Sequence, residues 1–388
     1  MLLTNLKIVL LDEVIEDGSL LLDSGRIAGV YAGETPNYSG RKVNGAGLTA
    51  IPGIIDLHGD MLEREIEPRP GSFFPVDMAV HEIDKRLAAA GVTTAYAALS
   101  FWDVDRPESV RGEAMVQQIV RDLGRLRPTL LTDLRIHARF EVSTPTVAPL
   151  LAELIASGQI QMLSLMDHTP GQGQYRNIEH YIGFIAKWRQ VDPSHVEEEL
   201  RERLARSGDL MERWAIARDI AALAHEMGLP IASHDDDTLE KVDLVASMGT
   251  TISEFPVTLE AAEEAHRRGM YVIMGGPNAL RGGSHSGNIS AREAIEADVV
   301  DALASDYHPA TMVQAAFSLA ASGVLSLPAA VVLVSAGPAA ALGLDDRGWI
   351  AEGLSADLAL VEDGPRPRVR ATIRAGVPIY WDAAMAGR

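Results

Sequence analysis

Apolar runs of strand length return eight times through the middle of this chain, and stretches with helical periodicity fill the gaps between them. The runs are Ile54–His58, Thr93–Leu99, Arg135–Val142, Gln161–Asp167, Pro230–His234, Ile252–Val257, Tyr271–Gly275 and Ala302–Asp306. Helical patterns such as Ile83–Ala90, Glu113–Leu126, Val196–Met227 and Leu259–Arg268 lie between them. Repeated βα units imply parallel strands joined by helical crossovers. Eight of each is the count of a closed α/β structure, the (β/α)8 TIM barrel. A doubly wound sheet is the alternative, but the chain lacks the glycine-rich turn that opens a dinucleotide fold. The stretch from Thr169 to Leu229 is too long for one crossover and predicts a helical insertion near 169–229.

The two ends have a different texture. Leu6–Leu10, Gly18–Leu22 and Arg26–Val30 read as short strands separated by glycines and aspartates. Asp357–Val361 and Val369–Ile373 repeat the pattern, with a turn at Ala375-Gly376. Neither piece is long enough for a core of its own. Together they predict a small β-sandwich domain built from residues 1–52 and 345–388, around a barrel over 53–344.

Composition narrows the partners. A net charge of −20 argues against a nucleic-acid surface or an anionic membrane, though not against a phosphorylated substrate. With no cysteine there is no disulfide framework, no thiolate metal ligand and no thiol nucleophile. Met1–Leu11 is apolar but lacks a basic leader and a cleavage site, and no segment is long enough to span a membrane. The expected location is the cytoplasm. A homodimer is compatible with the sequence.

A barrel of this kind carries its active site at the carboxyl ends of its strands, and the polar residues collect there. The first run ends in His58 and Asp60, two residues apart and so on one side of a strand. The third ends at Glu141, the fourth at Asp167 and His168, the fifth at His234-Asp235-Asp236-Asp237, the eighth at Asp306. Imidazoles and carboxylates from separate strands suit a centre of two divalent ions, zinc for preference. His58, Asp60, Glu141, His168, His234 and Asp306 are the expected ligands. Glu141 could bridge the ions, and Asp306 could orient or deprotonate a water.

At these residues the chain resembles the amidohydrolase superfamily. The carrying segments are Pro52-Gly53 through Asp60, Pro68–Gly71, Ser164–His168 with Pro170-Gly171-Gln172, Ala232–Asp236, Pro277-Asn278, Arg281–Asn288, Ser305–Tyr307 and Ala356–Leu358. The Arg-Gly-Gly-Ser-His-Ser-Gly-Asn stretch at 281–288 is the most specific of them. It is similar to a diphosphatase branch of the family that acts on a phosphonate-bearing ribose triphosphate. The resemblance implies a phosphorylated sugar as substrate and cleavage of a phosphoanhydride. Strand one carries His-x-Asp where most of the family has His-x-His, as that branch does. No lysine stands where the family's carbamylated bridging lysine would be, so the bridge passes to Glu141.

The loop after the seventh run bears on the substrate. Its glycines leave backbone N–H groups unshielded, and Arg281, Gly282, Gly283, Ser284, His285 and Asn288 suit several phosphate oxygens. Arg64, Arg69 and Arg139 could add positive charge. Arg139 could equally pair with a carboxylate.

Blander readings cover the remainder. His81, His180, His195, His225 and His266 fall in helical stretches, as surface or packing residues. His137 shares the parity of Glu141 and reads as an orienting partner or a satisfied core residue. His308 lines the pocket at most. Asp167, Asp235 and Asp236 suit caps or groups that orient the neighbouring histidines. The charge-dense stretch from Glu197 to Arg218 reads as a solvated face. Two functional alternatives stay open: hydrolysis of a cyclic or acylated amide at the same centre, and a non-catalytic scaffold.

Overall fold

The computed structural model describes residues 1–388 except 34, 103–108, 170–172, 174–177, 207–209 and 284–287. Its larger sheet has eight strands: Ile54–Gly59, Val92–Phe101, Asp133–Glu141, Met162–Met166, Ile231–His234, Ile252–Glu254, Tyr271–Gly275 and Ala302–Ala304. They are called strands one to eight below. Each pairs in parallel with the next in sequence. A parallel bridge between Gly59 and Asp306 brings strand eight back to strand one. The result is the predicted (β/α)8 barrel.

Alternation along strand three shows how the barrel sorts its side chains. Leu134, Ile136, Ala138 and Phe140 point outward into the core shared with the helices. Arg135, His137, Arg139 and Glu141 take the opposite parity and face the interior. Tyr96, Met162, Ala232, Ile252, Ile273 and Ala302 form an apolar cluster from strands two and four to eight. Polar groups appear above that layer, at the strand ends.

Strands six and eight stop earlier than the apolar runs suggest, strand five stops where its run does, and the cause of all three ends is local. Asp235, Phe255 and Asp306 have φ values of +53°, +55° and +55°. A left-handed residue turns the chain out of the sheet, so strands five, six and eight end at His234, Glu254 and Ala304. The helical run Val196–Met227 is two helices, Pro193–Arg206 and Leu210–Glu226. They flank Ser207-Gly208-Asp209, three poor helix formers outside the described residues. With Ile178–Arg189 they make three helices between strands four and five.

The termini combine as expected. Val377–Trp381, Arg368–Arg374, Leu358–Glu362, Leu48–Pro52, Leu2–Val9, Val14–Asp23 and Arg26–Ala32 lie side by side in that order. Lys42–Asn44 adds an eighth strand in parallel with Leu2–Val9. The joint between the two ends of the chain is the antiparallel pair running from Leu358↔Pro52 to Glu362↔Leu48. Leu3, Leu6, Leu20, Ile27, Leu358 and Ile373 belong to a core separate from the barrel's. No helix among the described residues is long and apolar enough to cross a membrane.

Strand three is held at its base by Asp84, on the helix Val76–Ala89. This buried carboxylate accepts from Leu131 N at 2.7 Å, Thr132 N at 2.9 Å and Thr132 Oγ1 at 2.7 Å. Removing it strands two N–H groups and a hydroxyl in a site with little water. Asp84→Ala is therefore expected to cost about 2–4 kcal/mol in unfolding free energy, read by urea denaturation. A loss below about 0.5 kcal/mol would show that the strand is anchored elsewhere.

Candidate metal centre at the barrel mouth

Two groups of donors face each other at the strand ends. In the first, Glu254 of strand six stands among imidazoles from strands one, three and five. Its Oε1 lies 3.2 Å from His58 Nδ1, and its Oε2 lies 3.3 Å from His234 Nδ1 and 3.9 Å from His137 Nε2. In the second, Asp235 Oδ2 lies 3.7 Å from both His168 Nε2 and His234 Nε2. All these residues are buried. Two donors on one zinc ion at a tetrahedral angle are about 3.4 Å apart, so these spacings match the shared coordination of a cation.

Packing holds the imidazoles in place. His58 and His234 stack at 5.3 Å between centroids, and Phe255 packs edge-on against both, at 5.0 and 5.4 Å. The left-handed turn at Phe255 thus places an aromatic wedge against two candidate ligands. His168 is braced twice: Trp102 stacks on it at 5.8 Å and 5°, and Glu141 Oε2 lies 2.7 Å from its Nδ1. Trp102 lies beneath the guanidinium of Arg111, which pairs with the buried Glu63 at 2.8 Å.

The electrostatics suit a bound cation. Burial pushes the imidazoles of His58 and His234 well below their ordinary pKa and His137 down to about 3, so the ring nitrogens are neutral donors. Burial pushes Asp56 and Asp60 up, and Asp235 up to about 6. Asp306 rises to about 7, from burial first and the nearby Asp60 second. His58 Nδ1, His137 Nδ1, Asp60 Oδ1, Asp235 Oδ2 and Glu254 Oε1 are buried and make no hydrogen bond. Orphaned donors of this kind are costly unless a cation satisfies them, and the donor set fits a divalent metal.

All six residues read from the sequence as ligands end their strands at this mouth, but their engagements differ. Asp306 is fixed by its backbone: its N–H donates to His58 O at 2.9 Å, and its carbonyl accepts from Asp60 N at 2.8 Å. Asp56 ties strand eight to strand one through Ser305 N at 3.0 Å. Both oxygens of Glu141 are taken, Oε2 by His168 Nδ1 and Oε1 by Ser143 Oγ at 2.6 Å. Burial works against its charge, but these hydrogen bonds hold it below the usual range. Glu254 Oε1 and Asp235 Oδ2, by contrast, are carboxylate oxygens left open beside imidazoles.

Glu254, His137 and Asp235 are additions to the expected ligands. Glu254 lies in the sixth run, where its signal in the sequence is one acid inside an apolar strand. His137 has Ser164 Oγ 2.9 Å from its Nε2, while its Nδ1 makes no hydrogen bond. Asp167 and Asp236 act as caps and anchors, accepting from Thr169 N and from the Ser233 and Ser253 hydroxyls.

The arginines divide. Arg139 lies half-buried beside the donors, near enough to influence Asp60, Asp235 and Asp306. Arg64, exposed on the largely buried helix Met61–Ile66, reaches back to Asp60 Oδ2 at 3.4 Å. Arg281 ends the helix Gly276–Arg281 after strand seven and donates to Tyr307 Oη, next to Asp306. Gly282 is left-handed at φ +78° and closes that helix. Gly283 and Asn288 are half-buried; Ser284 and His285 lie outside the described residues. Arg69 is exposed on a bend bridged to Ser72, with no recorded contact to the donor groups. His81, His195 and His225 are exposed, as expected of surface residues, and so is His308.

A bound ion that satisfies these groups stabilises the fold by mass action. Exhaustive chelation is expected to lower Tm by roughly 5 °C or more, and added zinc to restore it. Identical melting with and without metal would refute the centre.

Comparison with known proteins agrees with this architecture. Residues 195–380 match the amidohydrolase family. Over 368 residues the chain is 38% identical to the alpha-D-ribose 1-methylphosphonate 5-triphosphate diphosphatase of Escherichia coli (strain K12), covering 93% of this chain and 94% of that protein. Among solved structures, dihydropyrimidinase from Brevibacillus agri NCHU1002 superposes with a TM-score of 0.65 at 13% identity, over 98% of this chain and 95% of that one. N-isopropylammelide isopropylaminohydrolase from Burkholderia multivorans ATCC 17616 gives 0.65 at 18% identity, over 97% of each. At such identities these two share the fold alone. The chain is a hydrolase and belongs to the amidohydrolase superfamily.

Proposed function

We propose that this hydrolase cleaves the α–β phosphoanhydride of alpha-D-ribose 1-methylphosphonate 5-triphosphate, releasing pyrophosphate and the 5-phosphate. The observation that carries the reading is the 38% identity, over 93% of the chain, to the diphosphatase named for that substrate. The arginines around the mouth support it, because a neutral amide has no use for them and a polyphosphate does.

His58, Asp60, Glu141, His168, His234 and Asp306 would hold two divalent ions, zinc for preference, with Glu254, His137 and Asp235 as further donors. Divalent ions there supply Lewis acidity toward phosphoryl oxygens and acidify water. Asp306, with a carboxyl pushed up to about 7 and a backbone fixed to strand one, would accept a proton from the attacking water. Water adds to phosphorus, the bridging P–O bond breaks, and its electron pair leaves with pyrophosphate. Arg139 faces the donors from strand three and offsets charge gathering on the oxygens. Arg281 stands beside Asp306 through Tyr307 and would receive phosphate oxygens that do not react.

The deciding experiment incubates zinc-loaded protein with the ribose triphosphate, ATP and a panel of cyclic and acylated amides, following pyrophosphate and amine release. Turnover of amides alone would overturn the substrate class. Arg281→Ala should raise KM for the triphosphate about 10- to 100-fold, the scale of a lost charge-assisted contact, and leave any amide activity alone. Asp306→Asn should lower kcat about 100- to 10,000-fold with zinc content measured alongside. A kcat within threefold of wild type would remove Asp306 from the proton transfer.

A further inference from the structure

One guanidinium in the described structure is buried and has no partner. Arg213 is only 6% exposed, and its Nε and Nη1 meet no hydrogen-bond acceptor. It lies within the charge-dense stretch that reads as a solvated face, yet it faces inward. On the helix Leu210–Glu226 the buried positions are Arg213, Trp214, Ala217, Ile220, Ala221 and Ala224, one stripe at helical spacing. Met211, two residues earlier on the helix, is 80% exposed.

Its height along the barrel follows from the chain. The helix leads directly into strand five, so Glu226 lies at the strand's base and the helix start lies at the mouth. Arg213 is thirteen residues before Glu226, about 20 Å of helix, whereas Ile231–His234 rises only about 10 Å. A contact confirms the level. Lys241, in the first turn of the helix after strand five, lies 5.2 Å over the ring of Trp214. Arg213 therefore lies at the level of the strand ends or above it, on the side of strands four and five, next to Trp214, which packs under the Lys241 ammonium whose charge reaches Asp235. Arg281 serves the strand-seven side.

An unpaired buried guanidinium is costly and cannot shed its proton, so it calls for an anion. We propose that Arg213 is a binding residue for a tetrahedral anionic group of the substrate, a phosphate or a phosphonate. This rests on the phosphoanhydride reading and adds a second cationic pole to the same mouth. The fork of a guanidinium matches two oxygens of such a group, which a lysine does not.

The test compares zinc-loaded wild type, Arg213→Met and Arg213→Lys on the phosphonate-bearing ribose triphosphate and on ribose 5-triphosphate without the phosphonate. KM and kcat are measured separately, with melting of the ligand-free proteins. Arg213→Met should raise KM about 10- to 100-fold, with partial rescue by Arg213→Lys. Its ligand-free Tm should stay or rise, because a lone buried charge has gone. A rise on both substrates assigns Arg213 to the triphosphate; a rise on the phosphonate-bearing one alone assigns it to the phosphonate. Unchanged KM for both substrates, in a protein that turns them over, overturns the Arg213 assignment and leaves the diphosphatase reading intact. Should wild type hydrolyse neither, that reading falls. Calorimetric titration with inorganic triphosphate and methylphosphonate then decides Arg213, and equal affinities for wild type and Arg213→Lys or Arg213→Met overturn it. If Arg213→Met does not fold, Arg213→Lys carries the comparison.

Discussion

Strand eight returns to strand one through a reciprocal pair of backbone hydrogen bonds, Asp306 N–H to the His58 carbonyl and Asp60 N–H to the Asp306 carbonyl. Asp56 adds a third clasp through Ser305. Without that closure the barrel is an open sheet, and Asp60 and Asp306 are the two ends of it. With it, their carboxylates come close, and the charge of Asp60 works against the ionisation of Asp306. The other donors depend on the same ring, since strands three, four, five and six are placed by their neighbours around it.

The mouth is built against the ordinary preferences of a chain. Left-handed Asp235, Phe255 and Asp306 each cost about 1–3 kcal/mol, and they sit at or next to the strand ends that carry candidate ligands. Buried carboxylates and unpaired imidazole nitrogens add to that cost. The barrel wall supplies the compensation: Leu134, Ile136, Ala138 and Phe140 alone put four apolar side chains of strand three into the helix interface. A stable scaffold holding an unfavourable cluster is what a preorganised metal centre requires.

The donor set by itself does not choose between a carbonyl and a phosphoryl group, because Lewis acidity serves both. Charge around the rim is what supports a phosphoryl substrate. Arg139 on strand three and Arg281 on the helix after strand seven stand near Asp306, and Arg213 lies at the level of the strand ends or above it on a third side. A chain with a net charge of −20 that keeps these cations at one opening has a local sign opposite to its whole surface.

The order of eight strands, the partnership of the two termini and the family were legible in the sequence, because apolar periodicity and motifs such as His58-x-Asp60 are local properties. The helix pair between 193 and 226 and the exact strand ends were less so, since one residue's φ decides where a strand stops. Glu254 was invisible for a different reason: a lone glutamate in a strand gains meaning only from what faces it. His58, His137 and His234 come from strands one, three and five, and only barrel closure brings them around that carboxylate. The same holds for Glu141, a strand-end acid in the sequence that the fold commits to His168 and Ser143. What the chain specified alone was which groups end each strand. Tertiary structure decided which of them meet, because distances across a closed barrel depend on register and closure rather than on separation along the chain.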